Sequence, residues 1–155
     1  SVKEEEAHIR SYLQIQQFRY QDILDYEIRM NEEIYGYIIP KLTLQPLVEN
    51  ALYHGIKNKR GKGKILITGE KQGDKIIFQV VDNGKGMTEE ELNNLRKKMA
   101  GTDTGNEEKG FGVSNVNQRI KYYYGDEYGV FFESKENEGT NATIIIAAKN
   151  IQPPS

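Results

Sequence analysis

Two runs rich in β-branched and other apolar residues, Lys64 to Lys71 and Lys75 to Asp82, are separated only by Gln72-Gly73-Asp74. A connection that short cannot carry a crossover, so the runs must pair as an antiparallel hairpin, and Asp82 must end a strand. A second hairpin is predicted from Val130 to Lys135 and Asn141 to Ala148 around Glu136 to Gly139, and a further strand from Ile23 to Met30. Strands of this kind bury one face, and that face needs helices to cover it.

The intervening segments supply them. Lys3 to Tyr20 carries Ala7, Ile9, Tyr12, Leu13 and Phe18 among charged residues, the pattern of an amphipathic helix. Gly36 to Pro40 reads as a connector. Thr43 is the expected N-cap of a helix running to about Ile56, with Pro46 in its first turn, where a missing N–H costs little. At about 100° per residue, Leu44, Leu47, Val48, Ala51 and Leu52 share one arc of that helix and Glu49, Asn50, Tyr53, His54 and Lys57 the opposite one. Thr88 followed by three Glu opens a short helix predicted to end near Met99, and Val113 to Tyr124 resumes helical spacing before Gly125. Ala100 to Lys109 lacks apolar periodicity and reads as a mobile loop, a lid in one use. The fold class implied is α+β: helices on one face of a mixed sheet.

Composition removes several classes of function. The chain of 155 residues has no Cys and two His, which excludes disulfides, thiolate metal sites and a Cys nucleophile and argues against a His-rich metal centre. A net charge of -2 gives no general attraction to nucleic acid. Lys57 to Lys64 holds five basic residues in eight, read as a solvated turn in preference to an anion site. The longest apolar stretches, such as Ala142 to Ala148, fall short of the roughly 20 residues a membrane helix needs.

Three segments concentrate chemistry. Asn50 lies among apolar helical residues, and its amide oxygen either serves a hard cation or bonds a neighbouring loop. Asp82 precedes Asn83-Gly84-Lys85-Gly86-Met87 and is either a turn acid or an acceptor for a ligand amine, with glycines allowing close approach. Gly110-Phe111-Gly112-Val113 opens a helix, where free amides and the positive dipole end suit phosphate. The dinucleotide glycine fingerprint and the Gly-Lys-Ser/Thr phosphate loop are both absent.

In this order, Leu44-Gln45-Pro46-Leu47-Val48-Glu49-Asn50-Ala51, Asp82 to Met87, Gly110 to Val113 and Gly139-Thr140 resemble the N box, two glycine boxes and terminal Gly-Thr of the superfamily containing gyrase, Hsp90, MutL and histidine kinases. His54-Gly55, Gly112 to Ile120, and Ser11 to Gln16 with Arg19-Tyr20 are similar to the YesM/LytS-like sensor histidine kinases, so the resemblance spans nearly the whole chain. It implies a two-layer α/β sandwich, the Bergerat ATP-binding fold, with a mixed, mostly antiparallel sheet. Residues 1–20 would be a helical remnant of the linker to a dimerisation region, 21–150 the ATP-binding domain and 151–155 a tail.

The same resemblance implies ATP and Mg²⁺ as ligands. Asn50 would hold Mg²⁺ and Asp82 would accept from the adenine amine. Gly84, Gly86 and Met87 would shape the base pocket, with Thr140 supporting the base. Gly110, Phe111, Gly112 and Val113 would border the phosphates, and Ala100 to Lys109 would be the lid. Hydrolysing relatives carry an acid where this chain has Pro46, and many kinases have Lys where it has Tyr53, so phosphate charge would fall to His54, Lys57, Lys109 or Mg²⁺. His54 reads equally as a helix-terminal residue facing the dipole, and Glu49 as a base assisting an attacking imidazole or as a scaffold partner.

His8 is followed by Ile9-Arg10 and His54 by Gly55, and neither matches a phosphoacceptor motif. The acceptor is therefore expected upstream of Ser1, on a dimerisation domain of a homodimeric bacterial inner-membrane sensor. The chain would be its cytoplasmic catalytic fragment, serving a response regulator. An anti-sigma-type serine/threonine kinase and a nucleotide-sensing interaction module are the alternatives.

Overall fold

The computed structural model describes residues 1–21, 23–56, 62–100 and 111–151. The chain runs α1 (Val2–Arg19), β1 (Leu24–Met30), a 3-10 turn (Glu32–Ile34), α2 (Gln45–Asn50) continuing as a π-helical turn (Ala51–Ile56), β2 (Gly63–Gln72), β3 (Lys75–Asp82), α3 (Glu89–Met99), α4 (Phe111–Tyr124), β4 (Gly129–Lys135) and β5 (Gly139–Ala147). The strands form one sheet in the order β1-β2-β3-β5-β4, with β1 parallel to β2 and the other pairs antiparallel. Gly73 takes the positive-φ position of the β2–β3 turn, at +62°.

Alternation along the strands decides where the helices go. Ile65 and Ile67, then Ile76, Phe78 and Val80, then Ala142, Ile144 and Ile146 are buried, whereas the residues between them, such as Leu66, Gln79 and Thr143, stay half-exposed. One face therefore carries the helix layer, which adds Leu47, Val48, Leu52, Ile56, Val116 and Ile120 to a single core. This is the α+β sandwich expected from the sequence.

α1 joins the same core through Val2, Ile9 and Leu13, and two polar residues, Glu5 and Gln16, share its buried stripe. Phe18, at 80% exposure, and Ala7 face solvent, contrary to the apolar pattern read from the sequence. The arc assigned to α2 holds, since Leu44, Leu47, Val48, Ala51 and Leu52 are all buried. Its cap does not.

The N-cap of α2 is Leu44, with no side-chain cap bond from its own segment, and Thr43 turns its hydroxyl back to the Pro40 carbonyl. A helix capped at Thr43 would place Pro46 at the third position, where the cap needs an N–H that proline lacks. The helix also does not stay α to Ile56, because its last six residues are π-helical. The expected solvated turn after it lies mostly outside the described residues.

At α3 the reading was right. Thr88 accepts from the Glu91 amide at 3.1 Å, and Glu91 accepts from the Thr88 amide at 3.1 Å, closing a capping box. Thr88→Ala is expected to lower stability by about 1 kcal/mol, read as a shifted urea midpoint with unchanged slope.

Candidate nucleotide cleft

The sheet pleat that buries Ile76, Phe78 and Val80 turns Asp82 inward as the last residue of β3, where it is 5% exposed. The β3–β5 register sets Thr140 directly opposite it. The Asp82 carboxylate accepts from the Gly84 amide at 2.9 Å. It forms the floor of a cleft of about 350 Å³ whose walls are Asn50, His54 and Gly55 on one side and Glu91, Asn94, Leu95 and Lys98 of α3 on the other, with Lys85, Gly86, Met87 and Thr140 at the floor's edge.

Small residues keep that floor open. A Cβ on Gly55 would lie 2.6 Å from Asp82 Oδ1, so the π-helical turn presents a bare backbone to the carboxylate. Behind it, a Cβ on Gly84 would lie 2.3 Å from the Gly55 carbonyl carbon, and the Lys85 amide donates to the Gly55 carbonyl at 3.2 Å. The loop after β3 thus packs backbone to backbone on α2's extension. Ser134 ties the loop to the last hairpin: its hydroxyl accepts from the Met87 amide at 2.8 Å, donates to the Gly139 carbonyl at 3.0 Å and lies 2.8 Å from the Thr140 hydroxyl.

A second hollow of about 150 Å³ adjoins the first through Asn50 and His54, and is otherwise lined by Pro46, Glu49, Tyr53, Gly112 and Val113. Pro46 and the start of α4 are in near contact, since a Cβ on Gly112 would lie 3.3 Å from Pro46 Cβ. Glu49 accepts from the Gln45 side chain at 3.1 Å. Burial, reinforced by the neighbouring Tyr53 phenol and Glu49 carboxylate, raises the Tyr12 phenol above its ordinary pKa. The hydrogen bond from the Thr88 amide holds the Glu91 carboxyl at the cleft's outer edge below its ordinary value.

Asn50, His54, Asp82, Gly86, Met87 and Thr140 therefore converge on one cleft, and Glu49, Tyr53, Gly112 and Val113 on the hollow joined to it. Gly84 supports the floor from behind. Lys57, Lys109 and Gly110 lie outside the described residues, as do the side chain of Phe111 and nearly all of the expected lid. The sequence reading missed the α3 wall of Glu91, Asn94, Leu95 and Lys98, together with Lys85, Gly55 and Ser134. The i, i+3/i+4, i+7 spacing of the wall was visible, but nothing local says which face of α3 meets a cleft.

The donor set suits a nucleotide. Asp82 offers a buried acceptor with glycine backbone on one side, and Asn50 offers a hard oxygen where both hollows meet. Among the described residues no group of three or more His, Asp or Glu could hold a metal ion, so a cation here would depend on ligand oxygens, as Mg²⁺ commonly does. No described helix is long and apolar enough to cross a membrane.

Comparison with known proteins agrees. YwpD, an uncharacterized protein of Bacillus subtilis (strain 168), is 36% identical over 147 residues, 94% of this chain and 49% of YwpD. The sensor histidine kinase YesM of the same organism is 32% identical over 150 residues, 97% of this chain and 24% of YesM. The sensor protein LytS of Bacillus anthracis is 32% identical over 149 residues, 96% of this chain and 25% of LytS. The chain thus spans 24–49% of the length of these relatives, and the resemblance to YesM/LytS-like kinases read from its motifs is borne out.

Among solved structures, the catalytic domain of histidine kinase ThkA superposes with a TM-score of 0.69 at 18% identity, over 96% of this chain and 94% of that one. The mycobacterial sensor histidine kinase MprB does so with a TM-score of 0.60 at 15% identity, over 92% of each chain. These share the fold. Residues 40–150 match the model of the histidine kinase-, DNA gyrase B-, and HSP90-like ATPase family, and the chain belongs to that family.

Proposed function

We propose that the cleft binds Mg-ATP and that the chain passes the γ-phosphoryl group to a histidine on a phosphoacceptor domain outside it, for onward transfer to a response regulator. The observation that carries this is Asp82: a buried carboxylate at a strand end, oriented by the Gly84 amide and kept accessible by Gly55. In this reading it accepts from the adenine amine, with Gly84, Gly86 and Met87 shaping the pocket and Thr140 supporting the base.

Asn50 sits where both hollows meet and would hold Mg²⁺, which neutralises phosphate charge when bound. Gly110 and Gly112 would border the phosphates, and His54, Lys57 and Lys109 would add positive charge. Lys98 on the opposite wall belongs with them. Catalysis is then mostly positioning and charge neutralisation. The acceptor imidazole attacks phosphorus through its ring nitrogen, the bond to the bridging oxygen breaks, ADP leaves and the imidazole releases a proton, for which Glu49 is the proposed acceptor. Pro46, in place of a water-activating acid, favours transfer over hydrolysis.

The whole protein would be a homodimeric membrane sensor with this unit on the cytoplasmic side. The test supplies γ-labelled ATP, Mg²⁺ and a separate acceptor domain from a YesM-like relative. Label stable to alkali and labile to acid, absent without the acceptor and lost with Asn50→Ala, is the expected result; acid-stable phosphate on Ser or Thr would sink the histidine reading.

A further inference from the structure

α2 is six residues long, lacks a cap from its own segment and carries Asn50 as its last residue. It runs on into the π-helical turn, and its placement rests on the buried Leu47, Val48 and Leu52 and on what holds its start. Here the holder is Glu5, 39 residues upstream of Leu44. The Glu5 carboxylate accepts from three successive backbone amides leading into α2: Leu42 at 3.2 Å, Thr43 at 2.8 Å and Leu44 at 3.1 Å. At 8% exposure, a carboxylate would be costly to bury without such donors.

The same loop is gripped from the other side. Arg119 of α4 donates to the carbonyls of Lys41 at 2.7 Å and Leu42 at 3.0 Å. Between the two, Leu42 is held at φ +58°, a conformation that a non-glycine residue adopts only when its surroundings impose it. α1 meets α2 a second time where Tyr12 stands beside Tyr53 and Glu49. The helix bearing Asn50 is therefore seated on α1 near both its ends.

We infer that Glu5 is a positioning residue for the nucleotide site: by holding the loop that enters α2 from another helix, it sets where Asn50 stands relative to Asp82 and α3. This rests on the nucleotide reading of the cleft.

The test measures binding of a fluorescent ATP analogue to the 155-residue chain, with Mg²⁺ and with EDTA, for wild type, Glu5→Ala, Glu5→Gln and Ile76→Val. Ile76 is fully buried at the end of β3 away from Asp82, so Ile76→Val loosens the fold without touching the cleft. The expected result is about tenfold weaker binding and a reduced Mg²⁺ response for Glu5→Ala. Glu5→Gln keeps one acceptor oxygen and should lose about threefold, with Ile76→Val unchanged. If Glu5→Ala does not fold, Glu5→Gln is read against Ile76→Val on the same terms. Wild-type affinity and Mg²⁺ response in the Glu5 variants, or an equal loss in Ile76→Val, overturns the inference. Absence of binding by wild type overturns the nucleotide reading itself.

Discussion

Asp82→Asn is expected to weaken ATP binding by at least about 100-fold while leaving the fold within about 1 kcal/mol of wild type. The side chain is 5% exposed, and Asn is nearly isosteric, so Oδ1 can still accept from the Gly84 amide. What changes is the second oxygen, where an acceptor becomes an NH₂ donor, opposed in the proposed reading to the donor amine of the base. A buried donor facing a donor loses one bond and leaves two groups unsatisfied, which is why the expected loss exceeds that of a single hydrogen bond. Calorimetric titration with ATP reads the affinity and a thermal melt reads the fold. Unchanged affinity in a folded variant would remove Asp82 from the site.

Gly84→Ala is the second large effect. Its Cβ would lie 2.3 Å from the Gly55 carbonyl carbon and 2.5 Å from both Gly55 Cα and the carbonyl oxygen. These are backbone atoms and cannot rotate aside, so the loop and the π-helical turn must part by roughly 1 Å to reach ordinary contact. That separation strains the Lys85-to-Gly55 hydrogen bond and shifts Gly55 and the Gly84 amide against the Asp82 carboxylate. A stability loss of about 1–3 kcal/mol is expected, with ATP affinity falling by about 50-fold or more. Gly36→Ala is the matched control: nothing lies within 4 Å of its added Cβ, and it should be neutral or slightly stabilising. Chemical denaturation and the same titration check both, and wild-type affinity in Gly84→Ala would show that the close packing is not needed for the site.

Most strand and helix positions were legible because their signals are local. The Gln72-Gly73-Asp74 turn forces the hairpin, and Thr88 with Glu91 builds its capping box within four residues. That Asn50, Asp82, Gly112 and Thr140 belong together was legible too, because each lies in a short motif, and the structure sets them around two adjoining hollows. Thr43 failed as a cap for a reason that was present in the sequence, the missing N–H of Pro46, but the Glu5 carboxylate that holds the entering loop was not legible there. Phe18 failed because the buried stripe of α1 contains the polar Glu5 and Gln16, and the partners of Glu5 lie in the loop before α2.

The sequence by itself determined the α+β class, the hairpins and the residue types that the cleft brings together. Periodicity and turn chemistry act over a few residues, so composition along the chain specifies them. The tertiary structure alone decided that Gly55 lies bare against Asp82, that α3 supplies the cleft's second wall, and that Glu5 seats the helix bearing Asn50. Those placements depend on sheet register, on the departure of α2 into a π-helical turn and on a buried charge seeking backbone donors far away in sequence, and packing of the whole domain is what fixes them.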